Sequence, residues 1–202
     1  MTNHLIIFAK NPELGSTKTR IGTKLGDDVA LAIYYSLIHR AQRVTANIKA
    51  RKIVYYSSFV DREDSWDNNT FEKRRQVKKE LGVRMATAIN ESFNENAKKV
   101  VLIGTDIYDL TPQIINDAFD QLSNHDVVIG PAKDGGYYLI GLSQPADSLF
   151  KLSAWSHSEV FNQTKELIGR AGLTFSLLPE LNDIDEPDDL KGTNLEQFLI
   201  EK

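Results

Sequence analysis

Apolar and polar positions alternate in blocks along the chain, and the blocks follow two different periods. Short apolar runs that end in polar residues predict strands buried on both faces, whereas longer segments with apolar residues three and four apart predict helices. The predicted strands span residues 5–9, 52–57, 99–104, 126–130, 136–141 and 174–178. Helices are predicted over residues 27–47, around 85–93, from 111 onward, and over 156–170 and 187–201.

The connections carry information of their own. Residues 11–23 contain Pro12, Gly15 and Gly22 without an apolar period, which predicts a long loop, and the charged stretch 58–76 predicts an insertion or a mobile flap. The link between the strands at 126–130 and 136–141 is too short for a parallel crossover, so this pair is expected to be antiparallel or to diverge at the sheet centre. The alternation of strands and helices favours a three-layer α/β/α sandwich, a single domain over residues 1–202, with a mostly parallel sheet and an antiparallel element.

Composition narrows the chemistry. With 41% apolar and 26% charged residues, no apolar run long enough for a membrane span, and no signal-peptide core, the chain is expected to be a cytoplasmic protein. It has no Cys, so a metal would be held by oxygen or imidazole, and Mg²⁺ or Mn²⁺ is the expected ion. The net charge of −4 argues against a nucleic-acid partner, and the basic stretch 10–24 suits a small anion.

Loops that follow strands carry the ligand sites of such sheets. The first, the basic loop (residues 9–20), contains Lys10, Gly15, Lys18 and Arg20. Glycine lets a ligand approach the backbone, arginine can bind two phosphate oxygens, and lysine supplies a point charge, so the loop predicts a pyrophosphate site. It matches neither a Walker loop nor a dinucleotide-binding glycine motif. A solvated basic loop is the alternative.

A second loop places Asp106 after the most apolar strand of the chain. In a protein without Cys, a carboxylate at a strand end is a natural ligand for a hard cation that also contacts phosphate. The alternative is a cap for the next helix, a role that Asp109 or Thr111 suits better.

Two further loops complete the candidate site. The glycine-rich hairpin (residues 130–137) carries Asp134, Gly135 and Gly136, which form either a simple turn or a flat surface for a sugar or base. The acidic segment (residues 181–190) must supply a cap for the last predicted helix, for which its later acids are suited. Asp183 and Asp185 precede that helix and are free for other roles.

Taken together, six segments resemble a bacterial family of uncharacterised glycosyltransferases related to the GT-A nucleotide-diphospho-sugar transferases. They occur in the family's order and cover nearly the whole chain. The segments are FAKNPELGSTKTRI (8–21), LGVRM (81–85), IGTD (103–106), GPAKDGGYYLIGL (130–142), WS (155–156) and LPELNDIDEPDDL (178–190).

The resemblance implies a GT-A fold in which the basic loop binds the base and phosphates of a nucleotide. It places a metal on Asp106, with Asp185 as a second ligand, and turns Arg84 toward the substrate cleft. The residues expected to contact the substrate are Gly135, Gly136, Tyr137 and Trp155. The chain departs from the family at three positions, with Tyr108 in place of Pro, Glu80 in place of Asp and Glu186 in place of Thr.

Three functions follow as hypotheses. The first is a metal-dependent glycosyltransferase with a nucleotide-sugar donor and a small-molecule or glycan acceptor, in which Asp134 orients or deprotonates the acceptor. The second is a nucleotidyltransferase that joins an NTP to a phosphorylated small molecule; the single Gly15 of the basic loop argues modestly against it, since such enzymes usually have a richer glycine loop. The third is a sugar-nucleotide-binding protein whose site no longer catalyses a reaction; the departure from the family pattern at Tyr108, near Asp106, is the reason for this alternative. The base, sugar, acceptor and oligomeric state remain open.

Overall fold

The computed structural model of the chain describes residues 2–155 and 157–199, and its described strands form a seven-stranded sheet. The sheet order is β3-β2-β1-β4-β6-β5-β7, and β6 is antiparallel to both of its neighbours while the remaining pairs are parallel. This confirms the predicted mostly parallel sheet and the antiparallel pair. The strands are β1 (His4–Ala9), β2 (Arg51–Tyr56), β3 (Phe71–Arg75), β4 (Val100–Ile103), β5 (Val127–Pro131), β6 (Tyr137–Leu142) and β7 (Phe175–Leu177).

Helices cover both faces of the sheet. Residues of α2 and α4 pack in one hydrophobic cluster with the sheet, and residues of α3 and α5 pack in a second cluster, which gives the three layers that the sequence predicts. Among the described helices, none is long and apolar enough to cross a membrane. The helices are α1 (Thr19–Leu25), α2 (Asp27–Thr45), α3 (Leu81–Asn94), α4 (Pro112–Gln121) and α5 (Val160–Arg170).

Two elements were missed by the sequence prediction. Helix α1 lies in what was predicted to be a loop, and it is held by packing of Ile21 rather than by a long apolar period. Strand β3 lies in the charged stretch 58–76; its sequence FEKRR suits an edge strand, where one side has no sheet neighbour and charged residues are tolerated.

The predicted C-terminal helix over 187–201 is wrong over the described part, which ends at residue 199. Two short 3-10 turns, Pro187–Leu190 and Glu196–Leu199, occupy this segment, and Gly192 between them has a φ of 74°, which a helix does not allow. The helix predicted from residue 156 begins at Val160 instead, because the preceding residues from His157 form a turn; Ser156 lies outside the described residues.

A third hydrophobic cluster lies at the end of the sheet where the basic loop emerges. It joins Ile21 of α1 and Ile33 of α2 to Ile184 and Leu190 of the acidic segment. These contacts hold the basic loop and the acidic segment against each other, although more than 150 residues of chain separate them, as the 165-residue span from Arg20 to Asp185 illustrates.

The stretch after β2 is tied to the basic loop rather than being a free flap. The buried side chain of Asn11 accepts hydrogen bonds from the backbone N–H groups of Ser58 (3.0 Å) and Phe59 (3.3 Å) and donates to the carbonyl oxygen of Phe59 (3.0 Å). Farther along, the Lys73 ammonium forms an ion pair of 2.5 Å with Asp64. The basic loop is therefore anchored through Asn11 to residues 58–59, and the ion pair holds the rest of the stretch against β3.

Replacing Asn11 with alanine removes all three side-chain hydrogen bonds to this stretch. We expect the free energy of unfolding to fall by about 2–4 kcal/mol, because each buried bond contributes about 1 kcal/mol and unsatisfied partners add to the loss. Urea denaturation measures it. Asn68→Ala is the matched control, since the Asn68 amide makes a single exposed bond to the Arg62 carbonyl oxygen (2.9 Å). Equal losses in the two variants would contradict the anchoring role.

Candidate functional site

A cavity of about 270 Å³, here called the central cavity, opens at the carboxyl ends of β1 and β4. Its walls come from the loop after β4, the glycine-rich hairpin, the acidic segment, the start of α3 and the turn before α5. The cavity therefore lies where ligands bind in open α/β sheets. Three carboxylates line it, from Asp106, Asp134 and Asp183.

The structure brings the basic loop to Asp106. The ammonium nitrogen of Lys18 lies 2.8 Å from Asp106 Oδ2, with 5% of the Lys18 side chain exposed and 42% of the Asp106 side chain exposed. Lys18 has a left-handed backbone conformation (φ 50°), which costs a residue other than glycine roughly 1–2 kcal/mol. A buried lysine in a strained conformation, paired with a half-exposed carboxylate, is the arrangement expected of a binding site.

Two further ion pairs repeat this arrangement nearer the surface. Arg20 Nη1 lies 2.6 Å from Asp185 Oδ2, and Lys24 Nζ lies 2.7 Å from Glu186 Oε2. The basic side of α1 thus faces the acidic segment. The backbone N–H groups of Asp185 and Glu186 both donate to Asp189 Oδ2, at 3.0 and 2.7 Å, so Asp189 caps the short 3-10 turn Pro187–Leu190 in place of the predicted helix.

The acidic segment holds the backbone of Asp106, and a tyrosine holds the neighbouring basic loop. The Asp106 carbonyl oxygen accepts a hydrogen bond from the Ile184 N–H (3.0 Å), and Ile107 forms a β-bridge with Asp183. The Tyr34 hydroxyl accepts from the Lys10 N–H (2.8 Å) and donates to the Lys10 carbonyl oxygen (2.9 Å). Burial and the Asp106 charge raise the Tyr34 pKa, so the hydroxyl stays neutral.

Tyr34 was missed as a site residue because it lies in the regular apolar pattern of α2. Its hydroxyl also lies 3.5 Å from the Thr105 hydroxyl, so it contacts both the basic loop and the loop that carries Asp106. A polar atom on a helix face that is otherwise apolar was the only signal in the sequence.

Tyr108, the departure from the family pattern, has a packing role of its own. The Arg40 guanidinium lies 4.3 Å from the centre of the Tyr108 ring and donates to the Tyr108 carbonyl oxygen. The Tyr108 hydroxyl accepts from the Asn194 N–H at 3.2 Å. Because the backbone of Asp106 is fixed through Ile184, its carboxylate still faces the cavity. Thr111, as predicted, caps the following helix by accepting from the Ile114 N–H.

Gly135 and Gly136, the adjacent glycines of the hairpin, have different functions. Gly136 lines the cavity, and its N–H donates to Asp134 Oδ1 at 2.8 Å, so it orients that carboxylate. Gly135, predicted to contact the substrate, is instead required by packing. Its φ is 89°, and a β-carbon there would lie 2.0 Å from the carbonyl oxygen of Ser158.

Aromatic side chains form the opposite wall. Tyr137 and Trp155 both line the cavity, as the sequence predicts, with ring centres 6.4 Å apart and an angle of 82° between the rings. Gly82 lies beneath Trp155, and a β-carbon on it would come within 2.7 Å of the indole ring. Leu81-Gly82 therefore supports the aromatic wall.

Asp183, rather than Asp185, is the acid of this segment that lines the cavity. Burial raises the Asp183 pKa above its usual range, and the negative charge of Asp134 raises it further. From the residues alone, both acids are free of capping roles, and the family resemblance chose Asp185 as the metal ligand. The β-bridge between Asp183 and Ile107 places Asp183 on the cavity wall instead.

Of the residues predicted to bind the nucleotide or its phosphates, three neither line the cavity nor pair with Asp106 or Asp185. Lys10 is exposed and borders a separate surface pocket with Tyr56 and Asp64. Arg84 was expected to face the substrate cleft, but it does not line the cavity. Its guanidinium donates instead to Gln76 Oε1 (2.8 Å). Gly15 has a φ of 73°, so it serves the turn of the basic loop.

The carboxylates suit a hard cation that is shared with a ligand. Among the residues that the structure describes, no three His, Asp or Glu side chains are grouped closely enough to hold an ion by themselves. Mg²⁺ in nucleotide sites usually takes one or two carboxylates and fills its remaining positions with phosphate oxygens and water. The carboxylates of Asp106 and Asp185 are partly exposed, at 42% and 36% of their side chains, and each is paired with a cation of the basic loop.

Residues 40–157 match a family described as uncharacterised proteins conserved in bacteria, DUF2064. The chain belongs to this family. No curated protein matches the chain in sequence.

Solved structures share the fold of the chain. A provisionally named nucleotide-diphospho-sugar transferase from Desulfovibrio desulfuricans G20 is 29% identical and superposes with a TM-score of 0.89 over 100% of this chain and 95% of its own. The inositol-1-phosphate CTP transferase from T. maritima is 14% identical (TM-score 0.60; 98% and 95% covered). A CMP:2-keto-3-deoxy-manno-octonic acid synthetase complexed with CTP is 10% identical (TM-score 0.59; 100% of both chains). The family member thus has the fold of nucleotide-using transferases.

Replacing Gly135 with alanine is expected to destabilise the junction of the hairpin and α5, because the added methyl group collides with the Ser158 carbonyl and the φ of 89° is unfavourable. Gly172→Ala is the matched control, since Gly172 has a φ of 67° but open space around it. The control isolates backbone strain, roughly 1–2 kcal/mol. Urea unfolding of Gly135→Ala should show a larger loss than the control; a loss no larger would rule out the packing role.

Asp183→Asn is expected to raise stability at neutral pH. A folded-state pKa above the unfolded value means that the folded state binds protons more tightly, so stability declines as pH rises from the unfolded pKa through the folded one. Asparagine removes that decline. Thermal melts of both proteins at pH 4 and pH 7 check this: the advantage of the variant should be present at pH 7 and shrink at pH 4. An advantage that grows at pH 4 would show the opposite shift.

Proposed function

We propose that this protein is a metal-dependent glycosyltransferase that uses a nucleotide-diphosphate-sugar donor. The observation that carries the proposal is the 2.8 Å contact between Lys18 and Asp106 at the edge of the central cavity, because it brings a phosphate-binding cation and a metal-binding carboxylate to one point. A diphosphate leaving group needs both kinds of charge.

The donor's diphosphate would bind to Lys18 and Arg20. Both residues are at the start of α1, and their charged groups form ion pairs with Asp106 and Asp185. A metal on these carboxylates would take over their neutralisation and leave the two cations for the diphosphate. Arginine can donate to two phosphate oxygens at once, and lysine supplies a compact charge. With 67% of the Arg20 side chain exposed, its guanidinium is accessible to a ligand from solvent.

Mg²⁺ or Mn²⁺ would be held by Asp106 and Asp185. A bound divalent ion supplies positive charge next to the phosphate oxygens as the bond to the leaving group breaks. Asp134, on the exposed tip of the hairpin and oriented by the Gly136 N–H, is placed to orient or deprotonate the acceptor hydroxyl.

Nucleotidyl transfer is the second candidate, because the same fold occurs in the CTP-dependent proteins with 10% and 14% identity. The two reactions release different products. Incubation of the purified chain and Mn²⁺ with UDP-, GDP- and dTDP-sugars, and separately with each NTP and a phosphorylated acceptor, distinguishes them. Release of nucleoside diphosphate supports glycosyl transfer, and release of pyrophosphate overturns it in favour of nucleotidyl transfer. Nucleotide binding without either product would indicate a decayed site.

Lys18→Met and Asp106→Asn test the phosphate-binding role and the metal-binding role separately. We expect Lys18→Met to weaken nucleoside diphosphate binding by about 10- to 100-fold, the usual effect of losing a charged hydrogen bond. Asp106→Asn should abolish the gain in affinity that Mn²⁺ gives the wild type. Calorimetric titration with and without EDTA measures both.

Lys98→Met is the control for these variants, because Lys98 is an exposed lysine that precedes β4, at the opposite end of that strand from Asp106. Its affinity should match the wild type. Undiminished Mn²⁺-dependent binding by Asp106→Asn would refute the metal role, and undiminished diphosphate binding by Lys18→Met would refute the phosphate role.

A further inference from the structure

The wall of the central cavity is divided into an acidic side and an apolar side. Asp134 and Asp183 stand on the acidic side with Asp106, and Asp106 alone is neutralised by Lys18. Within the described part of the chain, neither Asp134 nor Asp183 forms an ion pair. The acidic side therefore presents hydrogen-bond acceptors to whatever enters the cavity.

Positive charge is missing from the same wall, as far as the structure describes it. No Lys or Arg lines the cavity, and His157 is the one basic side chain there among the described residues. Both of its ring nitrogens lie close to backbone groups: Nδ1 is 3.2 Å from the Glu159 N–H nitrogen, and Nε2 is 3.3 Å from the Ala154 carbonyl oxygen. An anionic group beside Asp134 and Asp183 would face two carboxylates that have no ion-pair partner among the described residues, which is unfavourable, since Lys18 at the cavity edge is paired with Asp106.

The other side is suited to an apolar face. Tyr137 and Trp155 meet edge to face, and Met85 lies beside them, with its sulfur 4.0 Å from the Tyr137 hydroxyl. Phe8 and Leu81 extend this surface. Aromatic walls of this kind bind flat apolar surfaces and also attract cations.

We propose that the molecule bound in the central cavity, the acceptor of the transferred group, carries no phosphate or carboxylate. It offers hydroxyl or ammonium donors to Asp134 and Asp183 and an apolar face to Tyr137 and Trp155. This rests on the proposed function, which assigns the donor's diphosphate to Lys18 and Arg20. It defines the acceptor class more narrowly and separates it from the phosphorylated acceptors of nucleotidyl transfer.

Tryptophan fluorescence tests this without a nucleotide. The chain has two Trp residues. Trp66 is 1% exposed in the stretch after β2, while Trp155 lines the cavity, so a ligand in the cavity should change the Trp155 emission. The probes are benzyl alcohol, benzylamine and benzyl phosphate, which share a ring and differ in charge. We expect saturable changes in Trp155 emission with the alcohol or the amine, at an affinity about tenfold or more higher than that for the phosphate. The change in emission should be lost in Trp155→Phe.

Benzyl alcohol and benzylamine show which hydrogen-bond donor, a hydroxyl or an ammonium group, the acceptor molecule offers to the acidic side. Tighter binding of benzylamine, weakened about tenfold in Asp134→Asn, identifies an ammonium group, whereas tighter or equal binding of benzyl alcohol identifies a hydroxyl. Asp134→Lys, a change on the exposed hairpin tip, should raise the affinity for benzyl phosphate. Melting curves establish that each variant is folded.

Two results would overturn the proposal: benzyl phosphate binding at least as tightly as the other probes, or no saturable Trp155 signal with any of them. Neither affects the diphosphate titrations with Lys18→Met, so failure of this inference and failure of the proposed function are distinguishable.

Discussion

The buried ion pair between Lys18 and Asp106 is the interaction on which the arrangement of the site depends. A lysine ammonium with 5% of its side chain exposed is unfavourable without a partner, so the basic loop and the loop after β4 must come together when the chain folds. The same pairing recurs at the surface between Arg20 and Asp185. Lys18 and Arg20 of the basic loop thus each lie beside a carboxylate, and a ligand that carries both a diphosphate and a metal would match this alternation of charge.

Packing around the pair fixes its position and also lowers the stability of the fold, because it buries a carboxylate. The cluster of Ile21, Ile33 and Ile184 joins α1 and α2 to the acidic segment, and the Tyr34 hydroxyl links the basic loop to Thr105. The same packing buries Asp183 close to Asp134, which raises its pKa and means that the ionised form opposes folding. Retaining such a carboxylate is typical of functional sites, where stability is given up for binding or catalysis.

The central cavity separates two kinds of recognition within one fold. Cations lie at its edge, next to Asp106, and the cavity itself presents acids on one side and the rings of Tyr137 and Trp155 on the other. Members of this fold include proteins that use CTP and one named for nucleotide-diphospho-sugars, so the fold alone does not choose the reaction. We propose that the charge of the cavity wall separates the two reactions, because a phosphorylated acceptor needs a cation beside it.

The sequence by itself determined the layers, the mostly parallel sheet with its antiparallel strand, and the convergence of Lys18 with Asp106, because apolar periods are local and loops after strands share one edge of a sheet. Only the tertiary structure decided which neighbouring residue faces the cavity. Asp183 rather than Asp185 lines it, Gly135 serves packing, and Arg84 contacts Gln76. Those outcomes, like the edge strand β3 and the short helix α1, depend on contacts between distant segments, such as Arg20 with Asp185 165 residues away, which no local pattern encodes.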